Sequence, residues 1–424
     1  MKIRSVRGTH DVFGDDIEKH KLISEIVRFN AKNSGFSELN TPIFESSELF
    51  LKPLGEHSDV VLKEMYTFED RNSDKLTLRP EYTTPMIRAS ITNNLLNDLP
   101  LKIFGIGPMF RRERPQKGRY RQFNQINFEI FGSNDFFADV EIIYIANEIL
   151  KNIISKTSFS LNINYLGSKE NILEYKEILT KYFSDKKSKL SESSLEKINT
   201  NPLRILDSKD EADIEISRTA PLIKEIISDK SKHIYNEIKN ALSSLDIEFV
   251  ENNNLVRGLD YYCNTVFEFK TKDLGSQDTL LGGGRYDNLI GTLGGPDISG
   301  IGWAAGIERI AMLMDLKIKK EEIIHIAISD EKYKSHLFKI FNYLNKNNIS
   351  YYWNYKYNLK KSLSRASQLK IKNIIIIGDE EHKRNTFTLK NLYTGLQNNL
   401  KINQIKSFLD DQSWYTVLKY SDKV

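Results

Sequence analysis

The hydrophobic and polar positions of this chain change their period several times along its length. In RQFNQINFEIF (121–131), Gln125, Asn127 and Glu129 alternate with Ile126, Phe128 and Ile130. Residues two apart in a strand share a face, so this segment is expected to be a strand with one polar and one apolar row. LKIFGIGPMFR (101–111) is also strand-like, with Pro108 tolerable at an edge or bulge. Between them ERPQKGRY supplies the turn residues Pro115 and Gly118. The two segments predict a hairpin with an arginine-rich tip. Period 3.6 takes over in ENILEYKEILTKYF, which places Ile172, Tyr175, Leu179 and Tyr182 at helical spacing. TLRPEYTTPM reads as a loop before a helix from Thr84, with Thr84 and Pro85 in the N-cap and N1 roles. GIGWAAGIERIAML reads as a strand or turn entering an amphipathic helix with Arg309 on its polar side. Towards the C-terminus, IIHIAIS, ISYYW and NIIIIGD are short apolar strands, with helices between them, one around LKKSLSRASQLK. That alternation is a parallel α/β signature. TFTLKNLYTGLQNNLKI closes it as a hairpin turning near Tyr393-Thr394-Gly395.

These patterns divide the chain. Residues 1–166 and 251–316 hold the densest motifs and form one core. Residues 167–250 read as a helical insertion, whose stretch SDKKSKLSESSLEK suggests no chemistry. LKIKKEE (316–322) is a polar linker, and 323–424 form a separate α/β domain. A length of 424 residues is itself too great for one ordinary domain.

Composition adds exclusions. The chain is 40% hydrophobic and 28% charged, as a soluble globular protein is. No leader pattern opens it and no apolar run approaches a membrane span, so no membrane partner is expected. The one cysteine, Cys263, excludes an intramolecular disulfide framework and a multi-cysteine zinc site, and the expected location is cytoplasmic. The net charge of +4 is unevenly spread. Residues 323–424 carry 17 Lys+Arg and 8 Asp+Glu, a balance of +9, leaving 4 − 9 = −5 on the rest. Either the tail domain meets a polyanion or it has a solvated lysine-rich surface.

The candidate chemistry centres on residues 111–132, where five arginines and Lys117 surround one acid, Glu113. Guanidinium groups match phosphate oxygens with paired donors, and Phe123 is placed to stack on a base. The bland alternative is an exposed charged hairpin. The row Gln125, Asn127, Glu129 faces either water or a ligand pocket. Glu81 and Thr83 would share a face if extended and hold an ammonium group. Arg257 precedes Gly258, and Tyr262 offers a hydroxyl. LLGGGRYDNLIG lacks P-loop spacing and is no clear dinucleotide fingerprint, so its glycines read as close packing of backbone or ligand. Seven histidines form no HxxH or HExxH pair, so no metal ligand set is expected from protein motifs. The sum is arginine-based phosphate handling without an evident nucleophile.

Taken together these motifs resemble the histidyl-tRNA synthetases, a family of class II aminoacyl-tRNA synthetases. In order, RGTHD (7–11) resembles the family's opening and TPIFE (41–45) resembles motif 1, whose proline, here Pro42, sits at a dimer interface. GEHSDVVLKEMYTF (55–68) and TLRPE (77–81) follow, and FRRERPQKGRYRQFNQ (110–125) resembles motif 2. RGLDYY (257–262) and GGGRYD (282–287) resemble the two histidine-specific signatures, and GIERI (306–310) resembles motif 3. NPLRILDSK (201–209) falls in the insertion, as in bacterial members.

The resemblance implies an α+β catalytic domain with a six-stranded antiparallel sheet and helices, a helical insertion, and a C-terminal α/β anticodon-binding domain. It implies a homodimer that uses L-histidine, ATP with Mg²⁺ and tRNA(His), without a prosthetic group. It assigns Arg111 to the ATP α-phosphate, Glu113 and Phe123 to the adenine, and Arg309 to the γ-phosphate, with Tyr120 also on the ATP side. Glu81, Thr83 and Gln125 would hold the histidine ammonium. Glu129 and Tyr262 would bond the imidazole nitrogens, with Tyr261 and Tyr286 shaping the pocket. Arg257 would lie near the reacting carboxylate and act catalytically with Arg111. Tyr82 stands where glycine is common, which would crowd the loop beside Glu81. A histidine-binding regulatory subunit of ATP phosphoribosyltransferase shares much of this pattern, but usually lacks the tail domain and an intact motif 2 loop. A synthetase for threonine, proline or glycine would not explain RGLDYY with GGGRYD.

Overall fold

The computed structural model describes residues 3–54, 61, 64–116, 118–259, 261–275, 278–315 and 323–411. The linker 316–322, Asp260 of RGLDYY and most of GEHSDVV lie outside the described residues. Contacts divide the chain into two compact units, Met1–Leu316 and Lys317–Val424.

The first unit is built on strands β1 (Ser37–Glu38), β2 (Phe44–Ser46), β3 (Tyr66–Glu69), β4 (Lys75–Leu78), β5 (Leu101–Phe110), β6 (Gln122–Phe131), β7 (Ser160–Tyr165), β8 (Phe249–Glu251), β9 (Cys263–Lys270), β10 (Thr279–Arg285) and β11 (Gly300–Gly306). The main sheet has the order β1-β5-β6-β11-β10-β9-β7-β8. Its six inner strands are antiparallel throughout. The two edges depart from a purely antiparallel sheet, because β1 runs parallel to β5 and β8 runs parallel to β7. A parallel neighbour requires a crossover. The chain between β7 and β8 supplies one through the helices Lys169–Ser184 and Asp229–Ser244. Strands β2, β4 and β3 form a separate small sheet.

The hairpin expected from the alternation is present: β5 and β6 pair from Leu101↔Phe131 to Phe110↔Gln122. Pro108 costs no ladder bond to a strand on its far side, since β1 pairs with β5 only at Ile103 and Phe104. The apolar row Ile126, Phe128, Ile130 is buried in the main core with Ile23 and Val27 of the helix Asp15–Asn33 and Ile142 and Ile149 of Phe136–Ile153. Phe128 stacks on Trp303 of β11 at 4.6 Å. One sheet face is therefore sealed by helices, which leaves the opposite face for chemistry.

Helix Lys169–Ser184 starts at a capping box between Ser168 and Asn171 and buries Tyr175, Leu179 and Phe183. Its seam is thus closed by Phe183, and Tyr182 packs at the margin, its hydroxyl donating to Ile216 O at 2.9 Å. The second unit holds β12 (Ile324–Ile328), β13 (Tyr351–Tyr357), β14 (Asn373–Ile377), β15 (Phe387–Asn391) and β16 (Gln397–Leu400) in the order β13-β12-β14-β15-β16. The first three are parallel and the last pair is the expected antiparallel hairpin.

Candidate active site

Gln125, Asn127 and Glu129 are all buried on the face of β6 away from the helices, so the polar row does not face water. It lies beside a cavity of about 480 Å³ whose lining includes Glu81, Thr83, Arg111, Glu113, Tyr120, Phe123, Gln125, Arg257, Tyr261, Tyr262 and Arg309. Eleven candidates scattered over 229 positions of sequence thus share one hollow. Two do not line it. Glu129 and Tyr286 sit buried behind the wall, where the Tyr286 hydroxyl donates to Glu129 Oε2.

The loop after β4 places the first group. The helix there runs Thr83–Thr92, one residue earlier than expected, and Thr84 and Pro85 do not cap it. Glu81 does: its carboxylate accepts from Thr83 N at 2.7 Å, Thr84 N at 2.8 Å and the Thr84 hydroxyl. A carboxylate is favoured at a helix start by orphan N–H groups and the helix dipole. The cap therefore holds an anion at the cavity wall. Freed from capping, Thr83 donates its hydroxyl to Glu129 Oε1 at 2.7 Å. Tyr82 does not crowd Glu81. It turns into the core, under the Arg79 guanidinium at 4.3 Å, and its hydroxyl donates to Asn40 at 3.0 Å. Gly105 and Gly107 make room there: a Cβ at Gly105 would lie 2.9 Å from the Tyr82 ring, and one at Gly107 within 3.4 Å of its hydroxyl.

Arginines of the hairpin and of motif 3 form the second group. Arg111 donates from Nε to Pro80 O at 2.8 Å and lies 5.4 Å over the Phe123 ring. Glu113 is held by Arg119 at 3.0 Å and stands 3.9 Å from Arg111. Arg309 donates to Thr279 O at 2.6 Å, and burial together with the charge of Arg119 lowers its pKa. Tyr120 packs its ring 4.1 Å from that of His10, which ties RGTHD to the loop tip. Asn124 donates from N and Nδ2 to Glu308 Oε1 at 2.8 and 3.0 Å, fastening the helix Ile307–Leu313 against β6.

The glycines of β10 and β11 explain how the third group fits. A Cβ at Gly282 would lie 2.2 Å from the Arg257 guanidinium, and one at Gly284 would lie 2.9 Å from the Tyr262 ring. A Cβ at Gly302 would overlap Glu129, and one at Gly300 would meet the Tyr286 ring at 2.3 Å. Arg257 is held at 3.2 Å by Glu268 of β9. Tyr261 and Tyr262 pack at 4.6 Å, and Tyr261 meets Tyr286 edge-on at 5.5 Å. Burial raises the pKa of all three phenols, which stay neutral donors.

Glu129 is the electrostatic centre of this floor. Burial pushes its carboxyl up to about 8, against the opposing hydrogen bonds from Tyr286, Thr83 and Asn127. Two buried atoms in the lining have no partner among the described residues: the acceptor Gln125 Oε1 and the donor Arg257 Nε. Buried polar atoms are normally satisfied, so each marks where a ligand of opposite hydrogen-bonding sense fits.

Sequence reasoning missed Glu308, although it lies inside GIERI, and missed Glu268 and Thr279, and it underrated the insertion. Arg204 and Asp207 of NPLRILDSK reach the cavity lining, from an insertion whose local composition suggests no chemistry.

Comparison with known proteins identifies the family. A family model described as histidyl-tRNA synthetase matches residues 8–310, and one described as an anticodon binding domain matches residues 322–412. The chain is 43% identical over 395 residues to a histidine–tRNA ligase of Wolbachia pipientis subsp. Culex pipiens (strain wPip), covering 93% of this chain and 97% of that one. It is 40% identical over 408 residues to a histidine–tRNA ligase of Rhodospirillum rubrum, covering 96% and 98%. Among solved structures, apo Staphylococcus aureus histidyl-tRNA synthetase aligns with a TM-score of 0.78 at 31% identity, over 96% of this chain and 99% of that one. On these grounds the chain belongs to the histidyl-tRNA synthetase family.

Proposed function

We propose that this protein is a histidine–tRNA ligase that activates L-histidine with ATP and transfers it to tRNA(His). The observation that carries the residue assignment is the pair of orphaned polar atoms in one cavity. Gln125 Oε1 is an acceptor beside the Glu81 carboxylate and the Thr83 hydroxyl. An ammonium group supplies the donors all three require. Arg257 Nε is a donor that a carboxylate or phosphate oxygen satisfies. Between them lies room for an amino acid. Arg111 and Arg309 take the α- and γ-phosphates, and Glu113, Phe123 and Tyr120 take the adenine end.

A histidine carboxylate oxygen attacks the α-phosphorus, a new O–P bond forms, and the bond to the β-phosphate bridge breaks to release pyrophosphate. The attacking carboxylate is already ionised at neutral pH, so this step needs no general base. Arg111 and Arg257 stabilise charge gained at the α-phosphate, as preorganised donors. Mg²⁺ accompanying ATP would take its ligands mainly from phosphate oxygens and water, and would neutralise phosphate charge there. In the second step the tRNA terminal 3′-hydroxyl attacks the histidyl carbonyl and AMP leaves. Specificity rests on the imidazole. Tyr262 addresses one nitrogen from the cavity wall. Glu129 reaches the other by exchanging its bond from Thr83, the one of its three partners that lines the cavity. An amino acid without two ring nitrogens leaves buried polar atoms unpaired, a mismatch that rejects substrates by roughly 10⁴-fold or more.

The functional unit is a homodimer. Phe44 and Phe68 on one face of the small sheet and Ile43 beside Pro42 are 54%, 44% and 44% exposed, an apolar patch that a second copy would cover. Light scattering giving a monomer mass would overturn that part. The catalytic reading is tested by histidine-dependent exchange of labelled pyrophosphate into ATP, with the other nineteen amino acids as controls. Exchange with histidine alone is expected. Histidine binding without exchange would instead indicate a regulatory relative.

A further inference from the structure

We propose that Arg204, on the short helix Leu203–Leu206 of the insertion, is a ligand for the leaving pyrophosphate, so that the insertion supplies part of the adenylation site. This rests on the reading of the protein as a histidine–tRNA ligase and adds a residue from outside the catalytic core.

The way the segment is held is the first observation. Leu203, Ile205 and Leu206 are buried in the main core on either side of Arg204. That fixes the rotation of the helix and leaves Arg204 half-buried in the cavity lining. Asp213, fully buried, then fastens the chain that follows. It accepts from Ser191 N at 2.9 Å, from the Ser191 and Ser208 hydroxyls at 2.7 Å and from the Ser194 hydroxyl at 2.6 Å. Burial alone would raise the Asp213 pKa, but these bonds outweigh it and lower the value. A buried carboxylate satisfied in this way fixes its donors. Ser208 therefore anchors the segment close behind Arg204, and the arginine is presented from a rigid base.

The partners of Arg204 are the second observation. A guanidinium carries several N–H donors, yet that of Arg204 makes no side-chain hydrogen bond among the described residues. Its acid is Asp207 at 3.9 Å, outside hydrogen-bonding range. The guanidinium lies over Gly258, where a Cβ would stand 3.5 Å from Nη1. Gly258 follows Arg257, and Glu268 accepts from both Arg257 and the Thr279 hydroxyl at 3.2 Å. Thr279 O accepts in turn from Arg309. Arg204 thus joins the cluster that holds Arg257 and Arg309, the residues proposed for the phosphates. When the bond from the α-phosphorus to the bridging oxygen breaks, its electron pair passes to the pyrophosphate. A guanidinium whose donors are unspent takes up that charge. Asp207 yields to the phosphate without loss of a hydrogen bond.

The test uses the full chain and compares Arg204→Ala and Arg204→Lys with the parent. Histidine-dependent pyrophosphate exchange gives the rate and the KM for pyrophosphate and for histidine, and inhibition by AMP is measured alongside. Arg204→Ala should lower the exchange rate at a fixed low pyrophosphate concentration by about 10- to 100-fold, the loss of hydrogen bonds to a charged group. The KM for pyrophosphate should rise, while the KM for histidine and inhibition by AMP stay unchanged. Arg204→Lys should recover part of the loss, because it keeps the charge without the planar fork. Losses spread equally over pyrophosphate, AMP and histidine would show that Arg204 only supports the insertion, and would overturn the proposal. Unchanged exchange with slower transfer to tRNA would move Arg204 to the tRNA end, and would overturn it too. If the parent exchanges no pyrophosphate, the ligase reading fails and this inference fails with it.

Discussion

The active-site floor and the outer side of strand β13 use similar side chains in opposite ways. On the floor, Tyr286, Tyr262, Thr83, Asn127 and Glu129 are fixed by one another, and glycines on β10 and β11 let them approach the backbone. On β13, Tyr355 and Tyr357 stand outward beside a half-buried Trp353, with no acid in their stretch of chain. The floor must reject nineteen similar small molecules, and a low-dielectric network makes each wrong partner costly. The outer side of β13 has no such network, and its rings and lysines stay in water. The difference teaches that polar groups buried together fix one another, whereas exposed rings and cations do not.

That contrast can be broken or sharpened, first at Arg257. Arg257→Ala should lower the rate of histidine-dependent pyrophosphate exchange by about 10² or more, as loss of a preorganised donor does. Near-normal exchange would remove Arg257 from the chemistry. Next, Gly282→Ala should cost about 10² in the same assay, because the new Cβ displaces the guanidinium. Gly291→Ala, whose Cβ meets nothing closer than 3.9 Å, should have no effect. Equal activity of the two variants would deny that the floor depends on close packing.

Glu129→Gln should weaken histidine binding by roughly 10- to 100-fold, the cost of leaving a buried partner unsatisfied. It should also change the pH profile of stability. Glu129 holds its proton up to about pH 8 in the fold, against an ordinary 4.5. A raised carboxyl pKa favours the fold most below the unfolded value, and the contribution is lost as pH rises through about 8. The variant should therefore lose less stability than the parent between pH 4.5 and 8, read by urea melts. A parallel pair of curves would show that the network, once ionised, carries no penalty.

The smallest effect is expected in the second unit. His325 on β12 is fully buried, and both ring nitrogens lack partners among the described residues. Burial, reinforced by Arg365, lowers its pKa to about 4 from 6.5. It is neutral in the fold and charges on unfolding, so stability is lost as pH falls from 6.5 towards 4. His325→Leu should recover about 1–2 kcal/mol at pH 5, measured by thermal melts, and nothing at pH 8. No gain at pH 5 would mean that the ring is satisfied in solution.

Much of this was legible in the linear pattern. Period-2 alternation fixed both faces of β6, and the arginine crowd of 111–121 marked one wall of the cavity. Turn residues placed the hairpin tip, and apolar spacing found the helix Lys169–Ser184. What failed to show was any partnership made at long range. Glu81 looked like a ligand or a loop residue, and only the folded helix start revealed it as a cap that also lines the cavity. Arg204 lies in NPLRILDSK, where no local pattern gave it a role, and tertiary packing brings it to the cavity lining. Glu268 is one acid in an ordinary strand until Arg257 is laid across Gly282 beside it.

The sequence by itself determined the element types, the arginine-rich loop, the polar row and the charge asymmetry, because these depend on local spacing and composition. The tertiary structure decided which polar groups lost contact with water. It placed Glu129 one layer behind the cavity, left Gln125 Oε1 and Arg257 Nε without partners, and bulged Tyr355 outward at the sheet edge. Burial and hydrogen-bond satisfaction are properties of packing between segments far apart in the chain, and no local pattern encodes them.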